Sequence, residues 1–144
     1  MTLLIWLHVA CMFVGFSTLV AADAVVIFAS RIRDSASLRS LIGASNPLGN
    51  TGKVATLFGI AVGLHLAYPY GYGSLWLVLS YVLVALTIAF GIFIIDPFKR
   101  RLVAAASEGD AALAQVRRSP GPPAILFINT ACWIAILWFM LAKP

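Results

Sequence analysis

The only two histidines of the chain are His8 and His65. Each sits inside a long apolar run, where a polar side chain is costly and is usually functional or matched by a partner. His8 lies about five residues inside one end of its run, and His65 about three residues before the end of the next. At about 1.5 Å per helical residue, both fall roughly 5–8 Å below the same surface. Two imidazoles at matched depth on adjacent helices can ligate a b-type haem from opposite faces. Such a site needs small residues for close approach. Gly15 lies seven residues after His8 and so on nearly the same face, and Gly59 and Gly63 form a small-xxx-small pair. Phe13, Phe16, Phe58 and Trp76 could wall the ring. His8, His65, Gly15, Gly59 and Gly63 are therefore the candidate haem b residues, with iron held by the histidines. Two other readings stand beside this one. The histidines are structural or proton-linked, or they belong to a copper site. Copper(I) favours Cys and Met, and Cys11 and Met12 adjoin His8, with Cys132 and Met140 at a similar depth. No CxxC or MxxxM spacing supports the copper reading.

A second constellation lies toward the opposite surface. Asp23 is about seven residues from the far end of the first run, and Asn129 about six residues into the last one. Their depths match, so a hydrogen bond between them is expected. Lys53 and Thr56 could join them, with Asp96 at the end of the third run. The cluster reads either as part of a proton, ion or quinone path or as a polar knot between helices. The third run offers only Ser80, Tyr81 and Thr87 as polar residues, which argues against a stand-alone transporter. No HExxH, P-loop, nucleophile elbow or helix-opening GxGxxG is present, so hydrolysis and nucleotide chemistry are not expected.

The elements that must position these residues follow from composition. The chain has 144 residues, of which 62% are hydrophobic and 10% charged. Soluble domains carry about 25% charged residues. The stretch from Leu3 to Phe28 has only His8 and Asp23 as strongly polar members, and about 20 apolar residues suffice to span a bilayer. Ala22-Asp23-Ala24 resembles a signal-peptide cleavage site. No Lys or Arg precedes the run and the run is too long for a signal, so a retained helix is expected. The sequence predicts an all-α membrane protein: a single four-transmembrane-helix bundle over residues 1–144, with helices at about 3–30, 47–68, 74–95 and 123–141. Asn46-Pro47 reads as a helix start. Residues 35–45 read as a short helix or loop at the interface. Asp96-Pro97 reads as the end of the third helix, and Leu102–Val116 as a short amphipathic piece.

Nine of the ten Lys and Arg fall in the first and third loops. The positive-inside rule then places both termini on the outer, periplasmic side of a bacterial inner membrane. The same topology accounts for the basic pI near 9.7, so nucleic acid is not an expected partner. Lipid is, together with other membrane subunits or a second copy.

The opening Trp6-Leu7-His8-Val9, followed by Gly15-Phe16, resembles the first helix of a group of small bacterial membrane proteins. The group includes the CopD-like copper-resistance domain, the HemJ-type protoporphyrinogen oxidase and several uncharacterised four-helix families. Similarity to one of the uncharacterised families extends to Asp96-Pro97-Phe98-Lys99-Arg100-Arg101-Leu102. The resemblance implies a four-helix bundle in which the histidine matching His8 touches haem in the haem-linked members. The HemJ-type enzymes carry an essential lysine in helix three. This chain has none between Ser74 and Ile95, so that activity is not implied. The resulting expectation is electron transfer or haem handling within a larger complex. The alternatives are a cofactor-free accessory subunit or a small transporter or metal-tolerance protein.

Overall fold

The computed structural model describes residues 2–118 and 121–142, and of residues 121–123 the backbone alone. The described chain is helical apart from short turns. It comprises α1 (Thr2–Ala29), α2 (Ser35–Ala67), α3 (Leu75–Phe90), α4 (Asp96–Glu108), α5 (Asp110–Arg117) and α6 (Gly121–Ala142). A 3-10 turn, Tyr68–Tyr70, closes α2, and a π turn, Gly91–Ile95, joins α3 to α4. Among the described residues, three helices are long and apolar enough to cross a membrane: α1, the continuous α3–α4 run, and α6. The 28 residues of α1 and 22 of α6 reach about 42 and about 33 Å, against a hydrocarbon core of about 30 Å.

Three boundaries differ from the sequence reading. Asn46-Pro47 does not start a helix. A single 33-residue α2 runs from Ser35 with Pro47 inside it. Its true cap is Asp34, whose carboxylate accepts from Ser37 N at 2.7 Å. Hydrogen bonding from Ser37 holds the Asp34 carboxyl below its ordinary range. Pro47 removes one intrahelical bond and crowds the carbonyl four residues back. That residue is Gly43, with open space around it.

Asp96-Pro97 does not end the third helix either. Asp96 N–H reaches back five residues to Gly91 O. This wider turn delivers the chain into α4 with Pro97 in the first turn, where a missing N–H is tolerated.

The segment after it is also not one amphipathic piece. Gly109, at φ 112° in the left-handed region open to glycine, breaks it into α4 and α5. These fold back onto the end of α1 and the start of α2. Val26, Ala29, Leu38, Ile42, Phe98 and Leu102 are central to the buried cluster that results. The basic loops therefore form a packed cap at one end of the molecule, the basic end. Arg117 ties it shut: its Nε donates to Ser30 O at 2.6 Å and its Nη2 donates to Ile32 O. Both carbonyls lie just past the end of α1, where helix geometry leaves acceptors unpaired.

Above the cap the helices form two pairs. α1 lies along α2, and α3 lies along α6. The α1–α2 seam is made by glycines: Gly52 receives Leu19, Gly59 receives Met12 and Gly63 receives the His8 ring. The two pairs meet through Phe16 and Trp133, whose ring centroids are 5.7 Å apart.

Candidate functional site

The two histidines part company. His8 Nδ1 lies 2.7 Å from Gly59 O. A carbonyl only accepts, so Nδ1 carries the proton of this hydrogen bond. The ring packs against Gly63, where an added Cβ would stand 2.7 Å from His8 Cε1. At Gly59 an added Cβ would meet Met12 Sδ at 2.7 Å, and at Gly15 it would meet Thr56 N at 3.0 Å. These glycines bring helix against helix, and no slot remains between them. His65 is exposed. At about 100° per residue it stands roughly 200° around α2 from Gly63. The structure does not bring His8 and His65 together, and a haem between α1 and α2 does not fit these residues. The expected walls disperse as well. Phe13 and Phe58 are exposed, Phe16 packs on Trp133, and Trp76 packs on Tyr70 with centroids 5.9 Å apart. Cys11 lies on the seam at Gly59 and Cys132 is buried. Among the described residues no group of three or more His, Cys, Asp or Glu is placed to hold a metal ion.

The second constellation does assemble. Asn129 Nδ2 donates to Asp23 Oδ2 at 3.5 Å, joining α6 to α1. Lys53 Nζ donates to Asp96 Oδ2 at 3.3 Å, joining α2 to α4. A cavity of about 810 Å³ lies between the helix pairs, and these four residues line it together with Lys99 and Arg100.

Helix periodicity explains the grouping. Asp96, Lys99, Arg100 and Val103 recur at the three- and four-residue spacing that keeps side chains on one face, and the π turn sets the rotation of that face. Asn129 and Trp133 are four apart on α6, as are Lys53 and Leu57 on α2. The apolar wall includes Leu57, Ile88 and Ile92, which are 63%, 41% and 52% exposed. The cavity is therefore open to the surroundings along this wall, between α2 and α3.

Three residues of the wall hold buried polar atoms with no hydrogen-bond partner among the described residues. They are Thr56 Oγ1, Asn129 Oδ1 and Trp133 Nε1. Leaving such a group unpaired costs about 1–3 kcal/mol, and buried orphans are uncommon in folded proteins. Their chemistry differs. Trp133 only donates, the Asn129 oxygen only accepts, and the Thr56 hydroxyl does both. Lys99 and Arg100 add charged donors that make no ion pair among the described residues.

Sequence reasoning missed Trp133, Lys99 and Arg100 as site residues. Trp133 looked like one more apolar residue of the last run. Its spacing of four from Asn129 was the available signal. Lys99 and Arg100 were absorbed into the topology signal.

Paired apolar helices of membrane length, closed at one end by a basic cap, define a multi-pass helical membrane protein. The chain belongs to the family described as predicted integral membrane protein (DUF2269), whose family model matches residues 2–144. No curated protein and no solved structure matches it. The family match covers nearly the whole chain, so the protein contacts the lipid bilayer. The family description names no biochemical activity, and the match does not extend to the CopD-like or HemJ-type proteins.

Proposed function

We propose that this protein binds a small amphipathic ligand in the cavity between its two helix pairs. It does so as a four-span protein of a bacterial plasma membrane, with the basic end in the cytoplasm and both termini outside. The fourth span is the apolar part of α2, Val54–Ala67. The glycine seam lays it along α1, and Lys53 reaches from its edge toward polar surroundings. The orientation rests on the positive-inside rule.

One observation carries the binding reading. A cavity of about 810 Å³ joins an apolar wall at Leu57, Ile88 and Ile92 to the charged side chains of Lys99 and Arg100. Its volume lies within the roughly 300–1,000 Å³ of small-molecule sites, and it sets charge beside hydrocarbon, as an amphipathic ligand requires. Haem and electron transfer find no such support, because the histidines face different ways.

The test is a titration of fluorescent single-chain amphiphiles with neutral, anionic and cationic heads into the protein in phosphatidylcholine nanodiscs. Saturable binding of at least one is expected. Ile88→Trp, which adds bulk at an exposed position of the cavity wall, should weaken it roughly tenfold, about 1.4 kcal/mol. Leu64→Trp, an exposed position outside the lining, should leave it unchanged. No saturable binding of any probe, or equal effects of the two substitutions, overturns the reading.

A further inference from the structure

The charges on the cavity wall select among amphiphiles. The charged residues lining it are Asp23, Lys53, Asp96, Lys99 and Arg100. Lys53 and Asp96 spend their charge on each other at 3.3 Å, and Asp23 holds Asn129. Lys99 and Arg100, on adjacent positions of α4, make no ion pair among the described residues, and Lys99 also feels the Asp96 and Asp23 carboxylates at longer range. From Arg100 the lining continues along α4 toward the basic end through Val103, Ala104 and Ser107. Asp96, Asn129, Trp133 and Thr56 also line the cavity, and Leu57 and Ile88 give it apolar wall. The lining thus sets two cations against hydrocarbon.

Resting on the binding reading above, we propose that the ligand is a single-chain anionic amphiphile drawn from the membrane. Its negative head sits at Lys99 and Arg100. Its linker passes Asn129 and Trp133, which stand one turn apart on the same face of α6, about 6 Å along its axis. The chain leaves between α2 and α3, along Leu57, Ile88 and Ile92. A cavity of this size encloses a drug-sized ligand rather than a two-chain phospholipid, which argues for one chain. The Lys53–Asp96 pair bridges the two helix pairs beside the head position. Breaking it releases a third cation toward the ligand.

The test uses the whole protein in phosphatidylcholine nanodiscs and three probes: lysophosphatidic acid, monoacylglycerol of the same chain length, and inorganic phosphate. Lysophosphatidic acid is expected to bind at least tenfold tighter than monoacylglycerol. Lys99→Gln and Arg100→Gln should each weaken it roughly tenfold, the scale of one charge-assisted hydrogen bond. Both should leave monoacylglycerol binding unchanged. Asp96→Asn should tighten lysophosphatidic acid binding, because it frees Lys53 and removes a negative charge. A gain of this kind cannot arise from a variant that fails to fold. Equal binding of the two lipids, or weaker binding with Asp96→Asn, overturns the head-group assignment and leaves the cavity reading standing. Competition by submillimolar phosphate overturns the amphiphile in favour of a free anion. Binding of neither lipid overturns the anionic-amphiphile proposal, and the differently headed amphiphiles above then decide whether the cavity reading stands.

Discussion

At Gly15 the difference between no side chain and one methyl group decides whether α1 and α2 can touch. A Cβ there would meet Thr56 N at 3.0 Å and Thr56 Cα at 3.2 Å. These are backbone atoms that cannot rotate aside. Gly15→Ala must therefore push the helices apart, and overpacking of this kind costs about 1–3 kcal/mol. At Gly49, on the same seam, a Cβ meets only the Ala22 methyl at an ordinary 3.8 Å. Gly49→Ala should be neutral or stabilise by about 0.5–1 kcal/mol through the loss of unfolded-chain freedom. Thermal midpoints of the two variants in one detergent check this, and an equal fall in both would show that the seam is not set by steric contact. The same seam explains what the sequence could and could not reveal about the site. Depth in a membrane helix is readable by counting, because the rise per residue is fixed. Depth was enough to match Asp23 with Asn129, since both turn inward. It was not enough for His8 and His65. Which way His65 faces depends on the rotation of α2, and that rotation is set by Gly52, Gly59 and Gly63 locking onto Leu19, Met12 and His8. No local signal at His65 records it.

At the scale of elements, the π turn is the part that aims α4. It places one residue more in a turn than an α-helix holds, and everything after it is rotated accordingly. Phe93 is 75% exposed within that turn, so Phe93→Ala should change stability by no more than about 0.5 kcal/mol. Deleting Phe93 is a different experiment. It should restore α geometry and swing α4 by about 100°. Phe98 and Leu102, 8% and 0% exposed, then leave the cap, and Asp96 leaves Lys53. The deletion variant is expected to melt well below the parent and to be cut by protease near Gly109. A deletion variant as resistant as the parent would mean that the turn aims nothing. The prolines that misled the sequence reading belong to this scale. Pro47 and Pro97 are genuine local breakers, but local propensity loses to packing. Leu38 and Ile42 gain a buried surface only if α2 extends back past Pro47, and Phe98 and Leu102 only if α4 continues past Pro97. The long apolar runs were legible because each carries its own signal. The cap was not, because its core is assembled from four separate segments, none of them strongly apolar by itself.

For the whole molecule, one asymmetry organises the rest: nine of the ten lysines and arginines lie in residues 31–53 and 99–118, toward the basic end. If charge sets topology, the cap faces the cytoplasm, and the end of the cavity lined by Arg100 lies toward it. The turn at the other end, with Tyr68, Tyr70 and Tyr72, then faces outward, where aromatic side chains suit the membrane–water boundary. Two exposed residues on opposite sides of the α3 run make this testable, Tyr72 and Glu108. In a background with Cys11 and Cys132 replaced by alanine, Tyr72→Cys should react with a membrane-impermeant maleimide in intact cells. Glu108→Cys should react only after permeabilisation. The opposite pattern would put the cap outside and turn the Arg100 end of the cavity away from the cytoplasm. Reaction of both in intact cells would mean that the α3 run does not cross the membrane at all. That result would remove the lipid-facing opening between α2 and α3 on which a ligand supplied by the bilayer depends. The orientation experiment thus bears on the source of the ligand as directly as on topology, and it needs no knowledge of what the ligand is.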